Sequence, residues 1–108
     1  SRMKLLYSVV SYFKPKAILE LGTSVGLASV SLALPKTGKV ISLEGCPQTA
    51  TVAQKHLKSA ELSNVEVVIG DFKQTLPQVI SEKFDLIYFD GNHSKEATLN
   101  YFEQLFQQ

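Results

Sequence analysis

The sequence predicts an α/β domain built on a four-stranded parallel sheet with flanking helices. Three observations carry this expectation. Short apolar runs alternate with segments whose apolar residues recur at helical spacing, in the order α-β-α-β-α-β-α-β-α. Such alternation produces parallel strands joined by right-handed crossovers. The runs are also apolar nearly throughout, rather than at every second residue, as strands covered on both faces are.

Each element has a local reason. Leu5, Leu6, Val9, Val10 and Phe13 repeat at helical spacing, and Pro15 stops that helix. The run Ala17 to Leu21 is closed by Gly22 and reads as a buried strand. Leu27, Val30 and Leu34 lie on one face of a second helix, with Ser24 as its expected N-cap and Pro35 and Gly38 at its end. Val40 to Leu43 is the second strand. Pro47 suits the first turn of a third helix, on which Ala50, Ala53, Leu57 and Ala60 share a face. Val65 to Ile69 is rich in β-branched residues, ends at Gly70 and forms the third strand. Leu76, Val79 and Ile80 mark a short helix, broken or started by Pro77. Phe84 to Phe89 is the fourth strand. Ser94 caps a last helix with Leu99, Phe102 and Phe106 inward.

Composition bounds the function. With 108 residues, 44% of them hydrophobic, the chain holds one core and one domain over residues 1–108. A formal net charge of +1 leaves no basic excess to neutralise phosphates, so nucleic acid is not an expected partner. No apolar run approaches ~20 residues, so no membrane span is expected. The single cysteine, Cys46, has no internal disulfide partner, which fits a reducing, cytoplasmic setting.

Ligands of such sheets bind beyond the carboxyl ends of the strands. The residues to read are therefore Glu20 to Gly26, Glu44 to Pro47, Gly70 to Phe72, and Asp90 to Ser94, and each of these four loops carries small or acidic residues. Gly22 permits a sharp turn and close approach of a ligand, although a plain strand-to-helix turn uses glycine in the same way. The spacing is neither the dinucleotide pattern G-x-G-x-x-G nor a phosphate loop ending in Lys and Ser or Thr. Glu44 closes the second strand, where an acid accepts hydrogen bonds from vicinal ribose hydroxyls. Asp71 is placed either to accept from an adenine amino group, with Phe72 offering a backbone N–H, or to cap the following helix. His56, among Gln54, Lys55 and Lys58, belongs to a solvated helix face.

Together these features resemble the Rossmann-like class of S-adenosylmethionine-dependent methyltransferases, from Ala17 to about Phe106. Ile18 to Gly26 (ILELGTSVG) is similar to the first motif of that class, Val40 to Glu44 to the second, Val68 to Asp71 to the third, and Phe84 to His93 to the fourth. Thr23, Ser24 and Val25 before Gly26 are similar to the catechol and caffeoyl-coenzyme A O-methyltransferase branch, where the common motif has another glycine at the position of Ser24. The resemblance implies strand order 3-2-1-4 and a complete sheet of seven strands, of which strands five to seven are lacking here. It implies S-adenosyl-L-methionine as cofactor, with Gly22, Thr23, Ser24 and Gly26 near its methionine part and Glu20 near its ammonium. Glu44 would hold the ribose, Gly45 and Cys46 would flank the adenine, and Gly70, Asp71 and Phe72 would read its edge. The implied reaction is O-methyl transfer to a small-molecule acceptor.

Asp90 and His93 follow the fourth strand as the expected catalytic pair. In the metal-dependent branch an acid at the place of Asp90 helps hold a divalent cation such as Mg, which lowers the pKa of a substrate hydroxyl. His93 is the alternative general base, since its ordinary pKa suits proton abstraction. The remaining metal ligands of that branch follow a fifth strand, which this sequence does not contain. The open edge of the fourth strand is expected either to be covered in a longer protein of which this chain is a truncated piece, the favoured alternative, or to pair with a second copy. Two other functions stay open on these residues: an NAD(P)-dependent oxidoreductase, because its cofactor also carries ribose, and a non-catalytic binding or assembly module.

Overall fold

Four apolar runs pair into one parallel sheet, and helices cover both of its faces. The computed structural model describes residues 2–24, 26–79 and 82–89. Its elements are α1 (Arg2–Phe13), β1 (Ala17–Leu21), α2 (Leu27–Ala33), β2 (Lys39–Glu44), α3 (Pro47–Ser59), β3 (Val65–Ile69), α4 (Phe72–Val79) and β4 (Leu86–Phe89). The expected last helix, with Ser94, Leu99, Phe102 and Phe106, lies outside the described residues.

The sheet order is β3-β2-β1-β4, as expected. Every pairing is parallel, with Ile18 opposite Val40 and Leu86, and Val40 opposite Val65. Alternate strand residues feed two cores. Ile18 and Val40 pack with Leu6 and Val10 of α1, Ala28 and Leu32 of α2, and Leu57 of α3. Leu19, Leu21, Ile41 and Leu43 pack on the other face against Phe72, Leu76 and Val79 of α4. Fully burying one such aliphatic side chain contributes about 1.5–3 kcal/mol. Both faces are needed, which is why the strands read as continuous apolar runs.

Several local readings are corrected by the structure. On α2, Leu27 and Leu34 are 59% and 46% exposed, while Ala28, Ser29, Leu32 and Ala33 are buried. Small residues let this short helix lie close to the sheet, and its polar Ser29 has a buried partner. Ser24 is not the N-cap. Gly26 holds that place with φ +92°, and no side chain caps the helix. Pro77 neither breaks nor starts α4 but lies inside it, exposed. The helix starts at Phe72, because Asp71 caps it. Ala60 ends α3 as an exposed C-cap and not as part of its buried face. On α1, Leu6 and Val10 are buried whereas Leu5 and Phe13 face outward. Lys14, at φ +50°, turns the chain out of α1 one residue before Pro15.

β4 begins at Leu86, two residues later than expected. Asp85 is occupied otherwise: its carboxylate accepts from the N–H groups of Lys16 (2.7 Å) and Ala17 (3.3 Å), and its own N–H donates to the Ala17 carbonyl (2.8 Å). This clamp joins the entrances of β1 and β4. The entrances of β1 and β2 meet as closely. An added Cβ at Gly38 would stand 2.1 Å from the Lys16 carbonyl oxygen, so no side chain fits there.

Candidate active site at the carboxyl edge of the sheet

The parallel register brings the exits of β1, β2 and β3 to one edge, with Leu21 opposite Leu43 and Glu44 opposite Ile69. Three loops meet there: residues 22–24 with 26, 45–46, and 70–71.

Glu44 is the junction of the first two loops. Its Oε1 accepts from the Ser24 N–H at 2.7 Å, and its Oε2 from the Cys46 N–H at 3.0 Å. Ser24 adopts φ +52°, a conformation uncommon for a residue with a side chain, and the bond to Glu44 helps hold it. The carboxylate is half-buried, and each oxygen keeps a second lone pair for a ligand. Its carbonyl accepts from the Gly70 N–H at 2.9 Å, which ties in the third loop.

The first loop is committed to protein partners. Gly22 and Thr23 donate to the Leu43 carbonyl at 2.9 and 3.2 Å, Ser24 to Glu44, and Gly26 to the Thr23 carbonyl at 3.0 Å. Gly26 also has a packing reason: an added Cβ would meet Ala53 of α3 at 3.1 Å. The Thr23 side chain is fully buried, so it faces the protein and not the open edge.

Glu20 is likewise fully buried. Its Oε1 accepts from the Ser29 hydroxyl and from the Ser42 hydroxyl at 2.6 Å. Thr23 Oγ1 lies 2.5 Å from Ser42 Oγ. Ser29 and Ser42 were not expected as part of this edge. The signal that marks Ser42 is a lone polar residue in an otherwise apolar strand centre.

Asp71 caps α4. Its Oδ1 accepts from the Lys73 N–H at 2.9 Å, and its carbonyl from the N–H groups of Gln74 (2.8 Å) and Thr75 (2.9 Å). One carboxylate oxygen is thus engaged in the cap, which leaves room for a second role. Phe72 is buried in the α4 core, so only its backbone belongs to the edge. Gly45 is open: an added Cβ would find only the Gly70 carbonyl, at 3.7 Å.

Cys46 is exposed at the start of α3. Hydrogen bonds from the Thr49 hydroxyl and N–H, and from the Gln48 N–H, hold its thiol below the ordinary value, against desolvation and the neighbouring Glu44 charge. A lowered pKa means more thiolate at a given pH. The pH midpoint of Cys46 alkylation by iodoacetamide is therefore expected below that of a free cysteine, and Thr49→Val is expected to raise it. An unmoved midpoint would contradict this cause.

Asp90 and His93 lie outside the described residues. Among the described residues no group of three His, Cys, Asp or Glu is placed to hold a metal ion. No helix among them is long and apolar enough to cross a membrane.

Comparison with known proteins adds the following. The family model described as "Methyltransferase domain" matches residues 19–108. A catechol O-methyltransferase of Niastella koreensis is 38% identical over 106 residues, which are 93% of this chain and 47% of that protein. A catechol O-methyltransferase of Mycobacterium tuberculosis is 33% identical, over 93% of this chain and 46% of that protein. The chain thus spans about half the length of these relatives. Among solved structures, an O-methyltransferase from Bacillus cereus in complex with S-adenosylhomocysteine (SAH) superposes with a TM-score of 0.87 at 31% identity, covering 98% of this chain and 50% of that one. An O-methyltransferase from Streptomyces achromogenes involved in tomaymycin synthesis, in complex with S-adenosylmethionine, also gives 0.87, at 26% identity, covering 98% of this chain and 49% of that one.

Proposed function

Because this chain belongs to the methyltransferase domain family, we propose that it is the cofactor-binding half of an S-adenosylmethionine-dependent O-methyltransferase acting on a small molecule. The observation that carries the reading is Glu44, an accessible carboxylate fixed by backbone amides of two loops at the exit of β2. The names and ligands of the relatives support it.

The residues fit that cofactor. Glu44 accepts from the two ribose hydroxyls through its remaining lone pairs. The open backbone at Gly45 and the exposed Cys46 border the adenine, and the free lone pairs of Asp71 accept from its amino group. The loop of Gly22, Thr23, Ser24 and Gly26 would shape the place of the methionine part, with the buried Glu20 linked to Thr23 through Ser42 and Gly70 opening the third loop. The bound cofactor supplies an electrophilic methyl on a sulfonium sulfur. The bound cofactor would give its methyl to the acceptor oxygen and leave as SAH, and His93 is the residue proposed to take the hydroxyl proton. The protein's share is positioning and exclusion of water.

Asp90 is the proposed contact to the cleft and to a divalent metal. The cytoplasm is the proposed location. The half-buried β4, paired among the described residues with β1 alone, is the proposed site of association with a second copy. A monomeric mass by light scattering at tens of micromolar would count against that association.

Cys46 gives a direct test of the cofactor. Saturating SAH is expected to slow alkylation of Cys46 and NADH is not, because the loop lacks the dinucleotide glycine pattern. Protection by NADH instead, or by neither ligand, would overturn the reading.

A further inference from the structure

We propose that Ser42 is a positioning residue for the amino-acid end of the cofactor: its buried hydroxyl joins the Glu20 carboxylate to the Thr23 hydroxyl and so fixes the first loop. This rests on the reading of the edge as an S-adenosylmethionine site.

Ser42 is the only polar side chain in the apolar centre of β2, between Ile41 and Leu43. Glu20, Thr23, Ser29 and Ser42 are all fully buried. A buried hydroxyl is unfavourable unless it is hydrogen-bonded, and a buried carboxylate more so. The direction of the bonds follows from their chemistry. A carboxylate oxygen only accepts, so Ser42 donates to Glu20 Oε1 at 2.6 Å. A hydroxyl has one proton, so Thr23 donates to Ser42, at 2.5 Å. Ser29 donates to the same Glu20 oxygen from α2. Ser42 is therefore the link through which the buried Glu20 carboxyl group orients Thr23.

Thr23 is the fixed point of the first loop. Its N–H donates to the Leu43 carbonyl at 3.2 Å, and its own carbonyl accepts from the Gly26 N–H at 3.0 Å. Removing the Ser42 hydroxyl leaves the Thr23 hydroxyl buried without its acceptor and deprives Glu20 of a donor. Thr23 must then turn, and Ser24 and Gly26 move with it. The ligand part beside this loop feels the change. The adenosine part feels it less, because Glu44 keeps its bond from the Cys46 N–H and Asp71 its place at the start of α4.

The experiment compares two ligands, SAH and 5′-deoxy-5′-methylthioadenosine, which lacks the amino-acid part, by calorimetric titration of the 108-residue chain. Loss of one buried hydrogen bond corresponds to about fivefold, so Ser42→Ala is expected to weaken SAH by about fivefold or more and the thionucleoside by less than about twofold. Ser42→Thr, which restores the hydroxyl, is expected to return SAH to within about twofold of the unaltered chain. Thr23→Val removes the donor from the other end and is expected to give the same split, which keeps the test open should Ser42→Ala fold poorly. Equal weakening of both ligands, or of neither, in variants of a chain that binds SAH overturns the positioning role alone. No binding of SAH by the unaltered folded chain overturns the cofactor reading and this role with it.

Discussion

Glu44→Ala is expected to weaken SAH at least tenfold while leaving the chain folded. A hydrogen bond to a charged group contributes about 1.5–3 kcal/mol, and the proposed ribose pair makes two. The substitution also removes the acceptor for the Ser24 and Cys46 N–H groups, so both loops lose their shared anchor. Solvent can replace it, because Glu44 is only half-buried and the two amides lie at the open edge. The cost to folding is therefore modest and the cost to binding large. Glu44→Gln separates the two roles. Its amide oxygen satisfies one N–H, but its NH2 group meets the other as a second donor, so binding is expected to fall between the other two chains. Calorimetric titration with a parallel urea melt reads both quantities. Binding unchanged in Glu44→Ala would remove this residue from the site.

Gly38→Ala is expected to have the largest effect on stability, although it adds a single methyl far from the carboxyl edge. Its Cβ would stand 2.1 Å from the Lys16 carbonyl oxygen and 2.4 Å from the Lys16 Cα, both backbone atoms that cannot rotate away. Relief requires β1 and β2 to separate at their entrance. That breaks the 2.9 Å bond from the Lys39 N–H to the Lys16 carbonyl and disturbs the Asp85 clamp on Lys16 and Ala17. Overpacking commonly costs about 1–3 kcal/mol, and rigid backbone on both sides places this case at about 3 kcal/mol or more. For a domain of this size that is a fall of roughly 12 °C or more in Tm. A thermal melt within a few degrees of the unaltered chain would show that the contact relaxes freely.

Gly38 also shows where the sequence stops being legible. Its place after α2 suggests a helix terminator, and only the fold reveals the carbonyl pressed against it. Strands read well for a local reason: β1 and β3 are five-residue apolar runs closed by Gly22 and Gly70, and both have the expected bounds. The buried face of α2 does not, because Leu27 and Leu34 outshine the small residues that meet the sheet. Apolar spacing finds the largest side chains, not those that permit close approach.

The candidate site divides in the same way. Glu44 is legible because it closes a strand at the right distance from Gly22. The amides that hold it are not, since Ser24 reaches it across 20 residues of sequence. Ser29 and Ser42 escape notice because nothing in the sequence says that Glu20 turns inward and needs hydroxyl donors. Asp71 satisfies the expected cap, and the adenine contact is the proposed second use of the same carboxylate.

The most direct measurement is calorimetric titration of the folded 108-residue chain with SAH. Saturable binding at one site per chain is the expected result, and it would make this half of the fold sufficient to hold the cofactor. No heat of binding from a chain that melts cooperatively would contradict it, and would mean that the geometry around Glu44 does not suffice for a cofactor site.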